Sequence, residues 1–255
     1  MPKIVFITGA TSGFGRSCAY KFAAHGYDLI INGRRTDRLQ LLADEVENKY
    51  NVAVLQLPFD VREEKKVFES IRSLPEEWKA IDVLINNAGL ALGRDYFEEA
   101  DPDDWNTMID TNVKGVLYVA KVVSQLMAAR KQGHIINMGS IAGKEVYEKG
   151  NVYCASKFAV DAISQGMRID LLRHNIKVTS INPGAAETEF SVVRFKGDEG
   201  TAKKIYDGLV PLTGDDVAEI IYYCASLPPH VCINDLSVTC LQQANTIYFN
   251  RHTNS

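Results

Sequence analysis

Unbroken apolar runs alternate with stretches of helical spacing along the chain. Residues 3–8 form the first run, and its continuous apolarity suits a parallel strand covered on both faces. A helical pattern follows through His25, and Gly26 stops it. Residues 29–31 read as a second buried strand, ending at Asn32-Gly33-Arg34-Arg35. Thr36 is the expected cap of a helix over 37–49. A third strand, 52–57, leads to Asp60-Val61, with Asp60 a candidate N-cap for a helix over 63–74. Pro75-Glu76-Glu77 breaks that pattern. A fourth strand, 81–85, ends in Asn86-Asn87-Ala88-Gly89. A long helix over 103–131 then carries Trp105, Met108, Ile109, Val113, Leu117 and Val122 at helical spacing. Strand 134–138, helix 151–174 and strand 177–181 follow. Residues 183–212 are Gly-rich, charged and too long for an ordinary connection, which predicts a substrate lid. A helix over 214–226 and a strand over 236–240 close the pattern. With no break in composition, this alternation predicts one α/β domain over 1–255, a Rossmann-type doubly wound parallel sheet with helices on both faces.

The 255 residues are 46% hydrophobic, enough for a substantial core. Lys plus Arg number 28 against 32 Asp plus Glu, a formal charge of -4, which gives no electrostatic footprint for nucleic acid or an anionic membrane. No apolar run is long enough to span a bilayer. The chain enters a strand-like run at once, so no signal peptide is expected and a cytoplasmic location is. Five cysteines, at 18, 154, 224, 232 and 240, show no paired spacing. Reduced, mostly interior thiols are therefore expected, with neither a disulfide framework nor a zinc site. Cys154, beside Tyr153, is within reach of oxidants on this reading.

Candidate chemistry begins at Thr8-Gly9-Ala10-Thr11-Ser12-Gly13-Phe14-Gly15, directly after the first strand. Glycines there permit a tight turn and let backbone N–H groups and a helix N-terminus approach a dinucleotide pyrophosphate. Where a carboxylate would select NAD, this chain has Gly33, Arg34 and Arg35, and guanidinium groups match a 2′-phosphate. NADP(H) is the expected cofactor, with Arg34 its main contact. Tyr153 and Lys157 lie at i and i+4 on one helix face. A nearby ammonium would favour the phenolate and lower the tyrosine pKa. Ser140, at the end of the fifth strand, would stand at the ligand crevice.

Taken together and in this order, the glycine turn, Asn86-Asn87-Ala88-Gly89, Asn112, Ser140, Tyr153-Cys154-Ala155-Ser156-Lys157 and Pro183-Gly184 resemble the short-chain dehydrogenase/reductase family over essentially the whole chain. The resemblance implies Tyr153 as general acid/base and Lys157 as its tuner and a ligand of the nicotinamide ribose. It implies that Ser140 polarises the substrate carbonyl and that Asn112 holds the water of a proton relay. Thr8, Gly9, Thr11, Ser12, Gly13, Phe14 and Gly15 would cradle the pyrophosphate. Asn86, Ala88 and Gly89 would line the cofactor, with Asp60 and Val61 by the adenine. Pro183, Gly184, Ala186 and Thr188 would reach the carboxamide, although Ala185-Ala186-Glu187-Thr188 lacks the valine the family often has. A homotetramer is also implied, with helices 103–131 and 151–174 packed across a dyad. The tail, 242–255, with Ile247, Tyr248 and Phe249, would cover a neighbouring subunit.

Three further stretches resemble the NADP-dependent 3-hydroxy acid (L-serine/L-allo-threonine) dehydrogenase branch. They are Ser73-Leu74-Pro75-Glu76-Glu77-Trp78, Asn87 through Gly93, and Thr188-Glu189-Phe190 through Asp198. Oxidation of a small 3-hydroxy acid, or reduction of its semialdehyde, is what this resemblance implies. Arg194, in the lid, would match a substrate carboxylate, and Tyr147, in the 144–151 segment expected to wall the substrate pocket, is a candidate substrate contact. The competing reading is a carbonyl reductase for uncharged aldehydes and ketones. A non-catalytic NADP-binding regulator is disfavoured by the joint presence of Ser140, Tyr153 and Lys157. A purely structural protein would bind no NADPH.

Overall fold

A computed structural model describes residues 2–251. Among them, seven strands form one parallel sheet: β1 (Ile4–Ile7), β2 (Asp28–Gly33), β3 (Val54–Pro58), β4 (Ile81–Asn86), β5 (Gly133–Met138), β6 (Ile176–Pro183) and β7 (Asp235–Val238). Their order is β3-β2-β1-β4-β5-β6-β7. The chain therefore winds outward from β1 in one direction, then crosses back to β4 and winds in the other. That reversal makes the β1/β4 border the switch point of a doubly wound sheet.

The unbroken apolar strands follow from burial on both faces. Val5, Ile7, Leu29 and Ile31 point into one core, with Cys18, Ala19 and Phe22 of α1 (Gly13–Ala23), Leu39 and Leu42 of α2 (Thr36–Tyr50), and Val217 and Ile221 of a C-terminal helix, Gly214–Ser226. Ile4, Phe6 and Ile30 point into the other core. There they meet Val67 and Ile71 of α3 (Glu64–Arg72) and Val119, Val122 and Val123 of the helix Val116–Arg130. Phe22 centres the first core, with the Tyr27 and Tyr222 rings edge-on at 5.0 and 5.4 Å. Truncating it to alanine removes both contacts at a cost of about 3–5 kcal/mol.

Several local expectations are corrected. Thr36 is the first residue of α2 rather than its cap; Arg35 takes that position, with no side-chain cap bond. Asp60 does not cap α3, whose N-cap is Glu63; it accepts instead from the Arg62 backbone N–H at 3.0 Å. The long helix is two, α4 (Pro102–Ile109) and α5 (Val116–Arg130), joined by a π-helical turn over Asp110–Gly115. After α6 (Asn151–Leu171), the lid holds two short helices, α7 (Glu189–Arg194) and α8 (Glu199–Lys204), each N-capped by a side chain, Thr188 and Asp198. Thr213 and Asp216 form a capping box that starts α9 (Gly214–Ser226). Cys18, Cys154, Cys224 and Cys240 are buried, Cys232 is half-buried, and all five are free thiols. Cys154 is closed to oxidants, and burial pushes its thiol pKa up. Among the described residues, no helix is long and apolar enough to cross a membrane. Residues 252–255 of the expected tail lie outside the described residues.

Candidate active site

The carboxyl ends of the strands open into a cleft of about 460 Å³ over the β1/β4 border. After β1 the backbone turns through Gly9 at φ +65°, in the left-handed region that glycine occupies without strain. Gly15 is needed for a different reason. A Cβ there would overlap the Gly9 carbonyl and come 2.6 Å from Asn87 Nδ2. Asn87 is the strut of this turn: its Nδ2 donates to the Thr8 and Gly9 carbonyl oxygens at 2.9 and 3.1 Å. In return Thr8 Oγ1 accepts from the Asn87 and Ala88 backbone N–H groups, both at 3.0 Å. The result is a glycine cradle at the N-terminus of α1, the arrangement a dinucleotide phosphate requires.

Gly9, Thr11, Ser12, Gly13 and Phe14 line the cleft, as do Arg34, Arg35, Asp60, Val61, Ala88 and Gly89. So do Ser140, Tyr147, Tyr153, Lys157, Pro183, Gly184, Ala186, Thr188 and Arg194. Thr8, Gly15, Asn86 and Asn112 stand behind that wall. Asn86, expected in it, donates from Nδ2 to Asn137 Oδ1 at 2.9 Å and ties β4 to β5; its neighbour Asn87 lines the cleft instead. Sequence reasoning missed Asn87 as a strut because two adjacent asparagines look alike until the strand's facing is known. It also missed Thr111, whose buried Oγ1 borders the cleft without a hydrogen-bond partner.

The two arginines after β2 differ. Arg35 donates to Thr11 Oγ1 at 3.0 Å and to Glu189 Oε2 at 2.9 Å, and Arg38 holds the other Glu189 oxygen at 2.8 Å. Hydrogen bonds from Arg35 foremost, then from Arg38 and Ser12, hold the Glu189 carboxyl down to about 2. These contacts fasten the lid helix α7 to the glycine turn. Arg34 is freer. Its side chain is 62% exposed, with only a 3.6 Å approach to Asp60. Burial pushes the Asp60 carboxyl up, but hydrogen bonds from Arg62 outweigh it and leave it below its usual range.

Ser140, Tyr153 and Lys157 converge at the inner end. Ser140 Oγ accepts from the Ala142 backbone N–H at 3.1 Å, which starts a short 3₁₀ turn and fixes the hydroxyl. Lys157 Nζ donates to the Met138 carbonyl at 2.8 Å and stands 5.9 Å from the Tyr153 ring centre. Burial pulls the Lys157 ammonium down to about 8. The expected lowering of the tyrosine does not appear. Tyr153 is 8% exposed, and burial pushes its phenol up. Tyr147 adds to that, while hydrogen bonding to Ser140 and the charge of Arg194 pull the other way.

Asn112 is buried in the π turn. Its Oδ1 accepts from the Leu90 backbone N–H at 2.9 Å, and its Nδ2 donates to the Leu90 carbonyl at 2.8 Å and Ser156 Oγ at 3.0 Å. It thereby pins the loop after β4 to α6. Above Tyr153, Arg194 donates from Nη2 to Tyr147 Oη at 2.7 Å. Its guanidinium carbon lies 5.5 Å from the Tyr147 ring centre and 5.4 Å from that of Tyr153. Arg194 Nε is buried without a partner. The described part of the tail, 242–251, packs on its own chain and leaves Ile247 and Tyr248 exposed. Gln243, Thr246, Phe249 and Arg251 line this chain's own cleft, Gln243 Oε1 accepting from the Ala185 N–H at 2.7 Å.

A glycine cradle at the switch point, with Ser, Tyr and Lys facing it, defines a short-chain dehydrogenase. A sequence model of that family, described as short chain dehydrogenase, matches residues 3–198, and the chain belongs to this family of oxidoreductases. It is 46% identical over 242 residues to the NADP-dependent 3-hydroxy acid dehydrogenase YdfG of Escherichia coli (strain K12), covering 94% of this chain and 96% of that one. It is 44% identical over 245 residues to a sulfoacetaldehyde reductase of Chromohalobacter salexigens, covering 96% of each. The closed form of serine dehydrogenase complexed with NADP+ superposes with a TM-score of 0.91 at 46% identity, over 98% of this chain and 99% of that one.

Proposed function

We propose that the protein is an NADP(H)-dependent oxidoreductase acting between the 3-hydroxyl and 3-oxo groups of small 3-hydroxy acids, of the L-serine, L-allo-threonine, 3-hydroxyisobutyrate and malonic semialdehyde type. One observation carries the reading. The Arg194 guanidinium, with a buried unpartnered Nε, hangs over the ring of Tyr153 inside the cleft that Ser140 and Lys157 also face. A cation there suits a substrate with an anionic group a few bonds from its reacting carbon. The names of the relatives agree, since a hydroxy acid and sulfoacetaldehyde both carry an anion close to the oxygen-bearing carbon.

The cofactor, when bound, supplies or accepts the hydride. The glycine cradle fits its pyrophosphate, and Arg34, exposed at the mouth, is assigned its 2′-phosphate, with Arg35 held beside it by Thr11 and Glu189. Ser140 Oγ donates to the substrate oxygen and orients it. Tyr153 Oη gives that oxygen its proton in reduction and takes it back in oxidation. Burial keeps the Tyr153 phenol protonated, and the cations Lys157 and Arg194 favour the phenolate that it becomes on donating in reduction and must be in order to accept in oxidation. Asn112 has both amide functions committed to Leu90 and Ser156, so any relay water it holds sits on its backbone carbonyl. A cytoplasmic homotetramer completes the proposal.

The test is a panel of 3-hydroxy acids and their methyl esters, each with NADP and NAD, on wild type and Arg194→Ala. The acids should be preferred, and Arg194→Ala should raise their KM by about 10- to 100-fold, the range of a hydrogen bond to a charged group. Equal turnover of acids and esters would instead support a reductase of uncharged carbonyls.

A further inference from the structure

A second guanidinium reaches the substrate half of the cleft. Arg94 is exposed, lies on the loop after β4, and lines the same cleft as Arg194, Tyr147 and Tyr153. The loop is fixed where it matters. The Gly93 backbone N–H donates to the Arg194 carbonyl at 3.0 Å, so Arg94 and Arg194 depart from adjoining backbone on two different elements. Gly93 itself sits at φ +70°, and a Cβ there would come 2.7 Å from Asp95 Oδ2. Glycine therefore permits the turn that puts Arg94 on the cleft wall.

Neither arginine is neutralised. Among the described residues, no carboxylate oxygen lies within 4 Å of the Arg94 or Arg194 nitrogens, Asp95 included. Of the other acids at hand, Asp104 pairs with Lys196 at 2.9 Å and Glu148 accepts from Tyr96 Oη at 2.9 Å. The Asp95 carboxylate turns back beside Gly93 and makes no ion pair among the described residues. Both guanidinium charges act on the Tyr147 phenol, against the upward push of its burial. The acids in the cofactor half, Asp60 and Glu189, are paired with Arg62, Arg35 and Arg38. Two free cations thus face one small volume.

We infer that Arg94 and Arg194 together clamp the head group of the substrate, and that this clamp favours a tetrahedral sulfonate over a planar carboxylate. The inference rests on the anionic-substrate reading above and extends it, ranking a sulfonate head group ahead of the carboxylates named there. A carboxylate has two oxygens in one plane, which a single guanidinium fork satisfies. A sulfonate presents three oxygens in diverging directions, so two forks on separate elements can each take a share. Arg194 supplies the inner contact from its guanidinium on the cleft wall, and Arg94 the outer one. Arg94 is a binding residue here and takes no part in proton transfer.

The experiment compares sulfoacetaldehyde, 3-oxopropanoate and butanal, reduced with NADPH by wild type, Arg94→Gln, Arg94→Lys and Arg194→Gln. NADPH fluorescence titration of each variant checks that the cofactor half is intact. Wild type should use sulfoacetaldehyde more efficiently than 3-oxopropanoate, and both more efficiently than butanal. Arg94→Gln should cut the sulfonate-to-carboxylate ratio of kcat/KM by about tenfold, through KM, as expected for one charge-assisted hydrogen bond. Arg94→Lys should recover part of the ratio, since it restores charge without the fork. An unchanged ratio in Arg94→Gln, with NADPH binding intact, overturns the clamp. If Arg194→Gln alone weakens both anions, the clamp falls and the anionic reading survives. If wild type reduces butanal as well as either anion, the anionic reading falls too.

Discussion

Gly15→Ala tests the geometry of the glycine cradle most directly. The added methyl would overlap the Gly9 carbonyl oxygen, approach Asn87 Nδ2 to 2.6 Å and lie 2.9 Å from the Gly9 carbonyl carbon. All of these belong to one strut, because Asn87 Nδ2 donates to that same carbonyl. The backbone of α1 cannot retreat easily, since Cys18, Ala19 and Phe22 on its buried face are fully packed. Overpacking of this kind costs about 1–3 kcal/mol, and the displaced Asn87 bond adds about 1 kcal/mol. The sum is about 2–4 kcal/mol, a fall in Tm of roughly 4–16 °C for a domain of this size. NADPH affinity should drop at least tenfold, read by fluorescence titration, because the moved peptide is the one facing the phosphates. Gly13→Ala is the comparison. Gly13 has φ +50°, but its Cβ would meet only Thr188 at 3.4 Å, an ordinary contact. The left-handed backbone alone then costs about 1–2 kcal/mol. If Gly15→Ala destabilises less than Gly13→Ala, or binds NADPH like wild type, the close-approach argument is wrong.

Other substitutions probe separate parts of the molecule. Tyr153→Phe should lower turnover by about 10²–10⁴ with NADPH affinity retained; near-normal turnover would remove Tyr153 from the proton step. Arg34→Glu should invert the NADPH/NADH preference, and an unchanged ratio of kcat/KM for the two would reassign the 2′-phosphate to Arg35. His134 is buried, with Nε2 2.7 Å from Thr179 Oγ1, and burial, helped by Lys177, holds it down to about 3. The unfolded chain, with a histidine near 6.5, takes up a proton the folded chain refuses. Stability therefore falls as pH drops from about 6.5 toward 3, by up to about 1.4 kcal/mol per pH unit, and is flat with respect to this group above that window. His134→Gln should flatten the urea-derived stability profile between pH 4 and 6, and an identical slope would exclude His134 as a source of acid sensitivity.

The sheet was legible because parallel strands buried on both faces leave an unbroken apolar run. Residues 3–8, 29–31 and 81–85 each contain a strand core, within a residue or two of its ends. The residues gathered at the switch point were legible for a related reason: they follow strand ends, and the topology brings those ends together. Three things were not. The π turn between α4 and α5 adds a residue without interrupting the helical run, and no residue type marks it, so the sequence reads as one helix. The state of Tyr153 depends on how deeply it is buried, which a Tyr-x-x-x-Lys spacing does not contain. The position of the tail depends on contacts far apart in sequence: Glu145 accepts from Thr246, and Arg251 donates to the Ile205 carbonyl. Nothing in residues 242–251 signals which cleft they will line.

The π turn at Asp110–Gly115 shifts the phase of everything after it by one residue relative to α4. Each residue advances an α-helix by about 100°, so Asn112 faces Leu90 and Ser156 only because the chain contains one residue more than a straight helix would need. Deleting a single residue within that turn would leave the composition of the site untouched and rotate Asn112 off Leu90, releasing the loop that carries Ala88 and Gly89. What is encoded there is a count, and a substitution scan of the segment would not find it.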